Sequence, residues 1–545
     1  MNDTHLEKSF FGRTDVLGLL KKRVVDLKEG CRQNVALLGN QYVGKSAILH
    51  DFLLNLDDTD VTAIYLDLEN KDFDYFFSKF TGSLLYNFSR NHQLPLYDDL
   101  NLLLESTKES IPQTVQVIRK IQKEFNNGKL PAAFLGLLTL PEIFTNETGK
   151  FCILILDEFQ NLEEFGIPHA FANLGKKIMT QKRCFYIVSS SFKGVAKKIL
   201  SEKLSLLFGN FETIDVDIFD AETSQKFVEN NLKDIKIGNE LRNFMTDFTG
   251  GHPLYLKLIC RELISLTAIY KQNEIYLPLL SQAVENTIFD RWGVISRHFE
   301  LVVNELCSGK GNRTIALILI SLSKGKYKID DMIQDTGIRK NKIMQKMTRL
   351  IELGVVVKNG NFHYFKDKLF KYWTKYVYQR RLCDVELAPD KQRQQFKEEF
   401  NAGVEDFNVA TRQDFSSRII DLFYCFDNEA LHLNGRKYKL PVFREITPCR
   451  FRNEGGNYVD VIKASTEDTV WFVVSKREHV EENDVNMILQ EAKRIEPRPE
   501  RYMIISLTDL DENTRLKALQ ERFWIWNEQE LNTLLSLFDK PYIVR

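Results

Sequence analysis

Residues 39–46 read Gly39-Asn40-Gln41-Tyr42-Val43-Gly44-Lys45-Ser46, and this stretch decides which fold we expect for the chain. An apolar run, 35–38, precedes it, and a helix-like segment follows from Ala47. Strand, glycine loop, Lys-Ser and helix are the context that a phosphate-binding P-loop requires. The backbone N–H groups of such a loop wrap a phosphate chain, and the helix N-terminus adds partial positive charge. Residues 39–47 are therefore the predicted nucleotide contacts.

A second motif supplies the acidic groups that this chemistry needs. The apolar run 151–156 is typical of a strand buried on both faces, and it ends in Asp157 and Glu158. In a P-loop enzyme Lys45 would reach the β- and γ-phosphates, while Ser46 and Asp157 would hold Mg²⁺. Glu158 would act as general base on the attacking water. The two motifs together predict an ATPase that uses ATP and Mg²⁺.

The next apolar strand, 184–188, ends in three consecutive serines, 189–191. A polar side chain at the tip of a strand beside the Asp-Glu strand could contact the γ-phosphate or the attacking water. We assign this catalytic contact to Ser190. A serine-rich loop that caps the following helix explains the same residues nearly as well.

Bulk properties restrict the class of protein. The chain has 545 residues, so we expect three or four domains, and its net charge of -1 gives no global indication of a nucleic-acid partner. The N-terminus is polar, and the apolar stretches are too short to span a bilayer. The eight cysteines are scattered without a C-x-x-C pair. This distribution predicts a reducing, cytoplasmic location and argues against a zinc site.

Four segments together resemble the archaeal-type ATPase family, a group of signal-transducing P-loop ATPases. They are Phe11-Gly12-Arg13, Gly39 to Ser46, Leu156-Asp157-Glu158-Phe159-Gln160 and Gly250-Gly251-His252-Pro253-Leu254. The resemblance covers roughly residues 8–380 and implies an additional-strand, AAA-like α/β core (1–215), a helical lid (216–305) and a winged helix (306–381). In related ATPases the Gly-x-Pro segment lies over the nucleotide base and ribose. The resemblance therefore makes Pro253 a nucleotide contact, whereas His252 is equally well explained as a polar helix start.

The chain departs from the family at one position. Members commonly carry Leu-x-Gly-Arg after the serine strand, but this chain reads Leu207-Phe208-Gly209-Asn210. Asn210 cannot supply the charge of an arginine that senses phosphate or contacts a neighbouring subunit. Slow hydrolysis, or an arginine supplied from elsewhere, follows from this departure; Arg183 and Arg261 are guesses, and an oligomer is compatible with the sequence.

Residues 312–365 predict helix, helix, turn, helix and two short strands, the order of a winged helix-turn-helix. The last helix carries five cations: Arg339, Lys340, Lys342, Lys346 and Arg349. Six more lie beyond the two short strands, up to residue 381 (Lys366, Lys368, Lys371, Lys375, Arg380 and Arg381), and between 339 and 381 the only acids are Glu352 and Asp367. This excess predicts contact with double-stranded DNA, with the third helix in the major groove. The alternative is a solvated basic face on a module that binds a protein.

The C-terminal region is expected to form a charged linker or helix, 382–412, and an α/β domain, 413–545. The order of its elements is similar to the restriction-endonuclease-like fold that ends many family members. Asp460 and Lys476 fit part of the Asp…(Asp/Glu)-x-Lys site, but Val474 replaces the second acid and Ser416 stands where a helix often carries Glu. One carboxylate makes a poor Mg²⁺ site. The domain is therefore predicted to be a degenerate nuclease that binds nucleic acid or protein.

These patterns predict a molecular switch that binds and hydrolyses ATP and couples nucleotide state to DNA binding. Two alternatives stay open. One is an ATP-gated, metal-dependent DNA nuclease. The other is an ATPase scaffold for a protein partner in a defence, mobile-element or regulatory system.

Overall fold

The computed structural model describes residues 11–69, 72–204, 211–307, 312–383, 389–433, 436–452, 458–477, 479–493, 499–508 and 510–543. The chain divides into two compact units, Met1–Ile218 and Phe219–Arg545. None of the helices in those described ranges is long and apolar enough to cross a membrane.

The first unit alternates strands and helices. Its elements are α1 (Thr14–Lys28), β1 (Asn34–Gly39), α2 (Lys45–Leu54), β2 (Val61–Asp67), α3 (Phe73–Asn91), α4 (Leu100–Thr107), α5 (Pro112–Asn126), α6 (Leu130–Thr148), β3 (Phe151–Asp157), α7 (Ala170–Thr180), β4 (Cys184–Ser190), α8 (Lys193–Lys198) and β5 (Phe211–Val216). A 3₁₀ turn, Phe159–Phe165, follows β3.

The five strands form one parallel sheet in the order β2-β3-β4-β1-β5. β4 therefore lies between the P-loop strand and the Asp-Glu strand, which is the additional-strand arrangement expected from the sequence. Alternate residues of β1 enter two cores. Ala36 and Leu38 pack with α3 to α7, whereas Val35 and Leu37 pack with α1 and α2. Because helices cover both faces, β1, β3 and β4 are almost entirely buried and the polar residues Asp157, Ser189 and Ser190 lie at carboxyl ends, whereas the edge strand β5 carries Glu212, Thr213 and Asp215.

The second unit begins with helices. They are α9 (Ala221–Asn231), α10 (Asn239–Thr249), α11 (Pro253–Tyr270), α12 (Leu277–Phe289) and α13 (Val294–Leu306), with a short parallel pair, β6 (Lys236–Ile237) and β7 (Glu274–Ile275). Next come α14 (Asn312–Ser323), α15 (Ile329–Thr336), α16 (Lys340–Glu352) and an antiparallel hairpin of β8 (Val356–Asn359) and β9 (Phe362–Phe365). Three helices follow: α17 (Lys368–Trp373), α18 (Gln379–Cys383) and α19 (Pro389–Arg412).

α19 is a packed helix and not an open linker. Its ring residues Phe400 and Phe407 lie 5.2 Å and 5.7 Å from the ring of Phe244 on α10. Phe396 lies 5.5 Å from Phe289 on α12. The charged residues of this segment therefore cover a helix whose aromatic face is buried.

The rest of the second unit is a mixed sheet with helices on both faces. Its elements are α20 (Phe415–Phe423), β10 (Glu429–Leu433), β11 (Arg436–Leu440), β12 (Glu445–Arg452), β13 (Tyr458–Ser465), β14 (Val470–Lys476), α21 (Glu482–Ala492), β15 (Arg501–Ser506), α22 (Glu512–Gln520), β16 (Trp524–Trp526) and α23 (Glu528–Leu537). The sheet order is β12-β13-β14-β15-β16, antiparallel up to β14 and parallel from there. The hairpin of β10 and β11 was not predicted from the sequence. It packs with α20 and α23 on one face, while α21 and α22 cover the other.

Candidate nucleotide site

The predicted P-loop connects β1 to α2 as a tight turn. Gly44 has φ +103° and Tyr42 has φ 59°, so the loop uses left-handed backbone at two positions. Gly39 is required for a different reason, because a Cβ there would lie 2.3 Å from the carbonyl oxygen of Val216 on β5. Glycine at 39 therefore keeps the strands together, and glycine at 44 turns the chain into the helix.

Lys45 is buried at the centre of the site, with 4 % of its surface exposed. Its Nζ donates to the carbonyl oxygen of Asn40 at 2.9 Å and to Ser191 Oγ at 2.8 Å. Glu158 Oε1 lies 3.8 Å from the same nitrogen. Burial lowers the pKa of Lys45, and the carboxylates of Glu158 and Asp157 oppose that shift. The ammonium is thus held at the mouth of the loop by groups that a phosphate can replace.

Asp157 accepts hydrogen bonds on both carboxylate oxygens. Oδ2 accepts from Ser46 Oγ at 2.7 Å and from the Tyr65 hydroxyl at 2.7 Å. Oδ1 accepts from the Glu158 N–H at 3.1 Å and from Ser189 Oγ. These four donors fix the carboxylate beside the hydroxyl at the start of α2.

Glu158 has left-handed backbone, with φ 53°. A non-glycine residue in this region is strained, and such strain is a reason to suspect function. Its Oε2 accepts from Gln160 Nε2 at 2.8 Å and from the Ser191 N–H at 2.9 Å. Ser191 Oγ donates to Oε1. The strained backbone therefore directs the carboxylate toward the end of β4 and toward Lys45.

The three serines at the end of β4 do not play the part that the sequence reasoning assigned. Ser189 contacts Asp157, and Ser191 contacts both Lys45 and Glu158. Ser190 Oγ instead accepts from the Phe192 N–H at 3.1 Å. Ser190 Oγ thus bonds the local backbone while Ser191 Oγ meets Lys45 and Glu158, because side chains alternate along a strand and the chain turns at residue 191. A catalytic contact from this strand end stays a prediction, and Ser191 is better placed for it than Ser190.

The oxygen set suits a nucleotide-bound Mg²⁺. Such an ion uses one or two protein oxygens and completes its shell with phosphate oxygens and water. Ser46 Oγ and Asp157 Oδ2 are 2.7 Å apart and could share one cation. Across the described ranges no group of three or more His, Cys, Asp or Glu side chains is arranged to hold a metal without a nucleotide. Ser46 and Asp157 are the residues that would hold the ion.

The Gly-Gly-His-Pro turn belongs to the second unit, where Pro253 begins α11. Gly251 has φ +73°, and a Cβ there would lie 2.2 Å from the carbonyl oxygen of Phe219. The ring of His252 stacks on that of Tyr255 at 3.9 Å. The turn is therefore explained by local packing, and the role of Pro253 at a nucleotide stays a prediction. Asn210 lies outside the described residues.

The five cations predicted to contact DNA lie on or beside α16. Arg339, Lys340 and Lys342 are exposed, while Lys346 and Arg349 are half-buried beside the core residues Ile343, Met347 and Leu350. Lys340 Nζ lies 3.3 Å from Asp330 Oδ1. α16 therefore carries exposed cations at its N-terminal end.

The predicted extension of this basic face beyond the hairpin is wrong for three of its lysines. Lys368 pairs with Asp247 at 3.1 Å, Lys371 with Asp539 at 3.0 Å and Lys375 with Glu399 at 2.7 Å. Each acid is remote in the sequence. The positive charge of these three lysines is therefore neutralised within the fold. The aromatic residues Phe370, Trp373 and Tyr376, which lie between or next to these lysines, are buried.

The two residues predicted for a vestigial nuclease site point to opposite faces of their sheet. Asp460 pairs with Ser475 across β13 and β14, so Lys476 faces the other way. Asp460 Oδ1 accepts from Arg450 Nε at 2.7 Å, whereas Lys476 Nζ donates to the buried Asp484 on α21 at 3.0 Å. The structure therefore does not bring Asp460 and Lys476 together.

Residues on the face of Asp460 offer no replacement for the missing nuclease groups. Val473 and Ser475 are the β14 residues nearest to Asp460 on that face, and Ser475 Oγ lies 2.7 Å from Ser416 Oγ on α20. An apolar side chain and two hydroxyls thus stand around the one acid. Another acid of the same sheet, Glu445 on β12, pairs in register with Ser465, five residues from Asp460 along β13.

Comparison with solved structures gives low scores. The Walker-type ATPase PABY2304 of Pyrococcus abyssi is 15 % identical, with a TM-score of 0.43, over 68 % of this chain and 97 % of that chain. The ORC2 protein of Aeropyrum pernix, in its ADPNP–ADP complexes, is 10 % identical with a TM-score of 0.41, over 74 % and 97 %. The RuvB Holliday junction branch migration motor of Thermotoga maritima is 13 % identical with a TM-score of 0.33, over 68 % and 96 %.

No curated protein matches the chain. A family model does match part of it, described as an ATPase domain predominantly from Archaea and covering residues 13–259. This match assigns an ATPase domain of the archaeal type to that segment and supports ATP hydrolysis there.

Proposed function

We propose that the protein is a Mg²⁺-dependent ATPase that couples its nucleotide state to the binding of double-stranded DNA. The observation that carries the ATPase half is the contact of Lys45 with Ser191 and Glu158, beside the Ser46–Asp157 pair. A phosphate-binding lysine, a cation-holding pair and a general base occupy one sheet edge. That is the set of groups that phosphoryl transfer to water uses.

Each group has a separate role in this proposal. Lys45 neutralises phosphate charge, and its lowered pKa reflects the burial that a bound phosphate would compensate. Asp157 and Ser46 would hold Mg²⁺. Glu158 takes a proton from the attacking water, and Ser191 orients both Glu158 and Lys45. When a nucleotide binds, Lys45 would turn from Ser191 to the phosphates. The Ser191 hydroxyl would then keep only its hydrogen bond to Glu158.

Nucleotide binding by the Lys45→Ala variant is the first test. We expect binding of ATP to fall at least tenfold, because removing a charged partner of phosphate costs more than about 1.4 kcal/mol. Isothermal titration with ATP and Mg²⁺ measures it. Lys22→Ala on the exposed face of α1 is the matched control. An unchanged affinity in Lys45→Ala would refute the proposed site.

DNA binding is proposed for the exposed cations of α16. The order α14, α15, α16 and hairpin suits a helix that enters the major groove. Arg339 and Lys342 are exposed at the start of α16, and neither forms an ion pair within the described residues. The positive end of the helix and these two cations would meet phosphates first.

The test measures DNA affinity across a salt series with and without ATP. It compares the wild type with the triple variant Arg339→Glu, Lys342→Glu and Lys346→Glu. Each lost phosphate contact should reduce the salt slope by about 0.9. A slope that flattens in the variant and shifts with ATP supports the switch. No binding at low salt in any nucleotide state would instead favour the scaffold for a protein partner.

A further inference from the structure

The turn of the β8–β9 hairpin is attached to the free edge of β10. Asn359 Nδ2 donates to the His432 carbonyl oxygen at 2.9 Å, and Asn359 Oδ1 accepts from the His432 N–H at 2.7 Å. The Asn359 carboxamide thus forms the same two hydrogen bonds with the His432 backbone that a residue of a neighbouring strand would form. Asn359 is 6 % exposed. The hairpin predicted to serve as a wing is therefore bonded to the C-terminal part of the same unit.

Close packing supports the same attachment. Gly360 has φ +60°, and a Cβ there would lie 2.1 Å from the Ala430 carbonyl oxygen. Asn361 Nδ2 donates to Glu429 Oε2 at 2.8 Å. The next residue, Phe362, belongs to the core that contains α20 and α23, with its ring 5.6 Å from that of Phe538. No side chain separates the two backbones at the turn.

Ion pairs hold the same two parts together at the sides of the turn. Lys328 Nζ lies 3.0 Å from Asp427 Oδ2 and 3.2 Å from Glu429 Oε1. Lys371 Nζ lies 3.0 Å from Asp539 Oδ1. Because these contacts surround the turn, the β10–β11 hairpin has a fixed position relative to α16 and the β8–β9 hairpin.

The β10–β11 hairpin carries unpaired positive charge on its outer face. His432 pairs in register with Lys437, and Ala430 pairs with Lys439, so these four residues share one face. The opposite face contains Leu431 and Tyr438 and is buried. Lys437 and Lys439 are exposed, as is Arg436 beside the turn. In the part of the chain that the structure describes, none of these three cations forms an ion pair.

We propose that Lys437 and Lys439 form a second contact with the DNA backbone, held beside the α16 surface by the Asn359–His432 pair. The inference deepens the proposed function and rests on DNA being a ligand. Because β10 packs on the β8–β9 turn, that turn is less accessible to DNA than the turn of a free wing. In this proposal the β10–β11 hairpin makes the DNA contact in its place. The attachment joins β11 to the module that carries α16, and in this proposal the cations of both elements neutralise phosphates of the same duplex.

Lysines on a strand edge have another known effect. Positive charge on an exposed edge prevents pairing with the sheets of other molecules. That effect does not require DNA, and it predicts aggregation when the charge is removed, with no change in DNA affinity. Replacing lysine with glutamate separates the two explanations, because glutamate keeps the edge charged but repels phosphate.

The test measures binding of the full chain to a random-sequence DNA duplex across a salt series. The variant is Lys437→Glu with Lys439→Glu. The control is Lys493→Glu with Arg515→Glu, which makes the same change of charge on exposed residues next to α21 and on α22, across the sheet. We expect the first variant to lose about tenfold or more in affinity and nearly two units of salt slope, and the control to lose much less.

Equal effects of the two variants would overturn the inference, since they would report only net charge. If the α16 triple variant loses binding while Lys437→Glu with Lys439→Glu does not, the inference fails and the proposed function stands. If the wild type does not bind DNA at low salt, both fail. Loss in the β11 variant alone, with binding unchanged in the α16 triple variant, would also overturn the inference, because the proposed contact is second to that of α16.

Discussion

Tyr65 donates its hydroxyl to Asp157 Oδ2 at 2.7 Å, the same oxygen that accepts from Ser46. Tyr65 lies on β2, beside β3 in the sheet. Burial, together with the neighbouring carboxylate of Asp157, raises the pKa of Tyr65, so the phenol keeps its proton and stays a donor at every physiological pH. This second donor on the same oxygen helps to fix the orientation of the carboxylate that we propose to hold Mg²⁺.

Replacing Tyr65 with phenylalanine should therefore raise the Mg²⁺ concentration that half-saturates ATP hydrolysis. Loss of a hydrogen bond to a metal-holding side chain typically reduces metal affinity about 10–100-fold. A Mg²⁺ titration of steady-state hydrolysis measures the change. Tyr86→Phe on α3, where the side chain is 38 % exposed, is the control. If both variants keep the wild-type Mg²⁺ requirement, Tyr65 has only a packing role.

Ser191→Ala and Ser190→Ala should differ in their effect on catalysis. Ser191 touches Lys45 and Glu158, so its loss should reduce the rate of hydrolysis about tenfold or more while ATP affinity changes little. Ser190 only bonds the chain at Phe192, so Ser190→Ala should stay near the wild type. Single-turnover hydrolysis, together with nucleotide titration, separates rate from affinity. The reverse order would restore Ser190 as the contact.

Gly360→Ala should destabilise the second unit more than Gly354→Ala. Both glycines have left-handed backbone, with φ +60° and +70°, but only at Gly360 does a Cβ meet another backbone. Alanine in the left-handed backbone conformation costs about 1 kcal/mol at either position. At Gly360 the overlap with the Ala430 carbonyl oxygen should add about 1–3 kcal/mol, the usual cost of overpacking. Equal losses would show that the turn can move away from β10.

Urea unfolding followed by tryptophan fluorescence measures this difference in one unit. All five tryptophans of the chain, at 292, 373, 471, 524 and 526, lie in the second unit. Their fluorescence therefore reports unfolding of that unit without a signal from the ATPase unit. The same measurement serves for the effect of pH.

Unfolding of the second unit should become easier in acid because of His298. Burial lowers the pKa of His298 to about 4, with a further decrease from His252 and an opposing effect of Asp367. The unfolded chain takes up the proton at a higher pH, near the ordinary histidine value of about 6.5. The stability contributed by neutral His298 is therefore complete above pH ~6.5 and is lost as the pH falls toward ~4.

His298→Gln tests this expectation, since it cannot take up the proton. The free energy of unfolding of the wild type, relative to that of this variant, should fall by about 3 kcal/mol between pH 7 and pH 4, by the rule of roughly 1.4 kcal/mol per unit of pKa. Burial raises the pKa of Asp367, which acts in the opposite sense in both proteins and cancels in the comparison. A difference that does not vary with pH would contradict the assignment.

The sequence predicted the parts of the site that lie within one short segment. Lys45 and Ser46 stand in a contiguous motif, and Asp157 and Glu158 end a single strand, so local pattern was enough. Tyr65 could not be found this way, because its role depends on β2 lying next to β3. Ser191 was passed over because the direction of the chain after β4, and not the residue type, decides which hydroxyl meets Lys45.

Counting charges along the chain predicted the basic surface less reliably than the motifs predicted the nucleotide site. Lys368, Lys371 and Lys375 looked like a continuation of the basic face of α16. Their acids, Asp247, Asp539 and Glu399, lie 121, 168 and 24 residues away, and no local window contains them. The order of the C-terminal elements was predictable from apolar runs, but the β10–β11 hairpin was missed because each strand has only 5 residues and β11 is rich in cations.

Asp460→Ala should leave DNA cleavage unchanged, because no cleavage is expected from the wild type. A metal-dependent nuclease needs two carboxylates and a lysine on one face. The face of Asp460 offers Val473 and Ser475, and Lys476 is bonded to Asp484 behind the sheet. Incubation of supercoiled DNA with the protein, ATP and Mg²⁺ or Mn²⁺ measures nicking. Nicking by the wild type that Asp460→Ala abolishes would mean that the strands change register in the complex, since Lys476 can reach the face of Asp460 only after a shift by one residue.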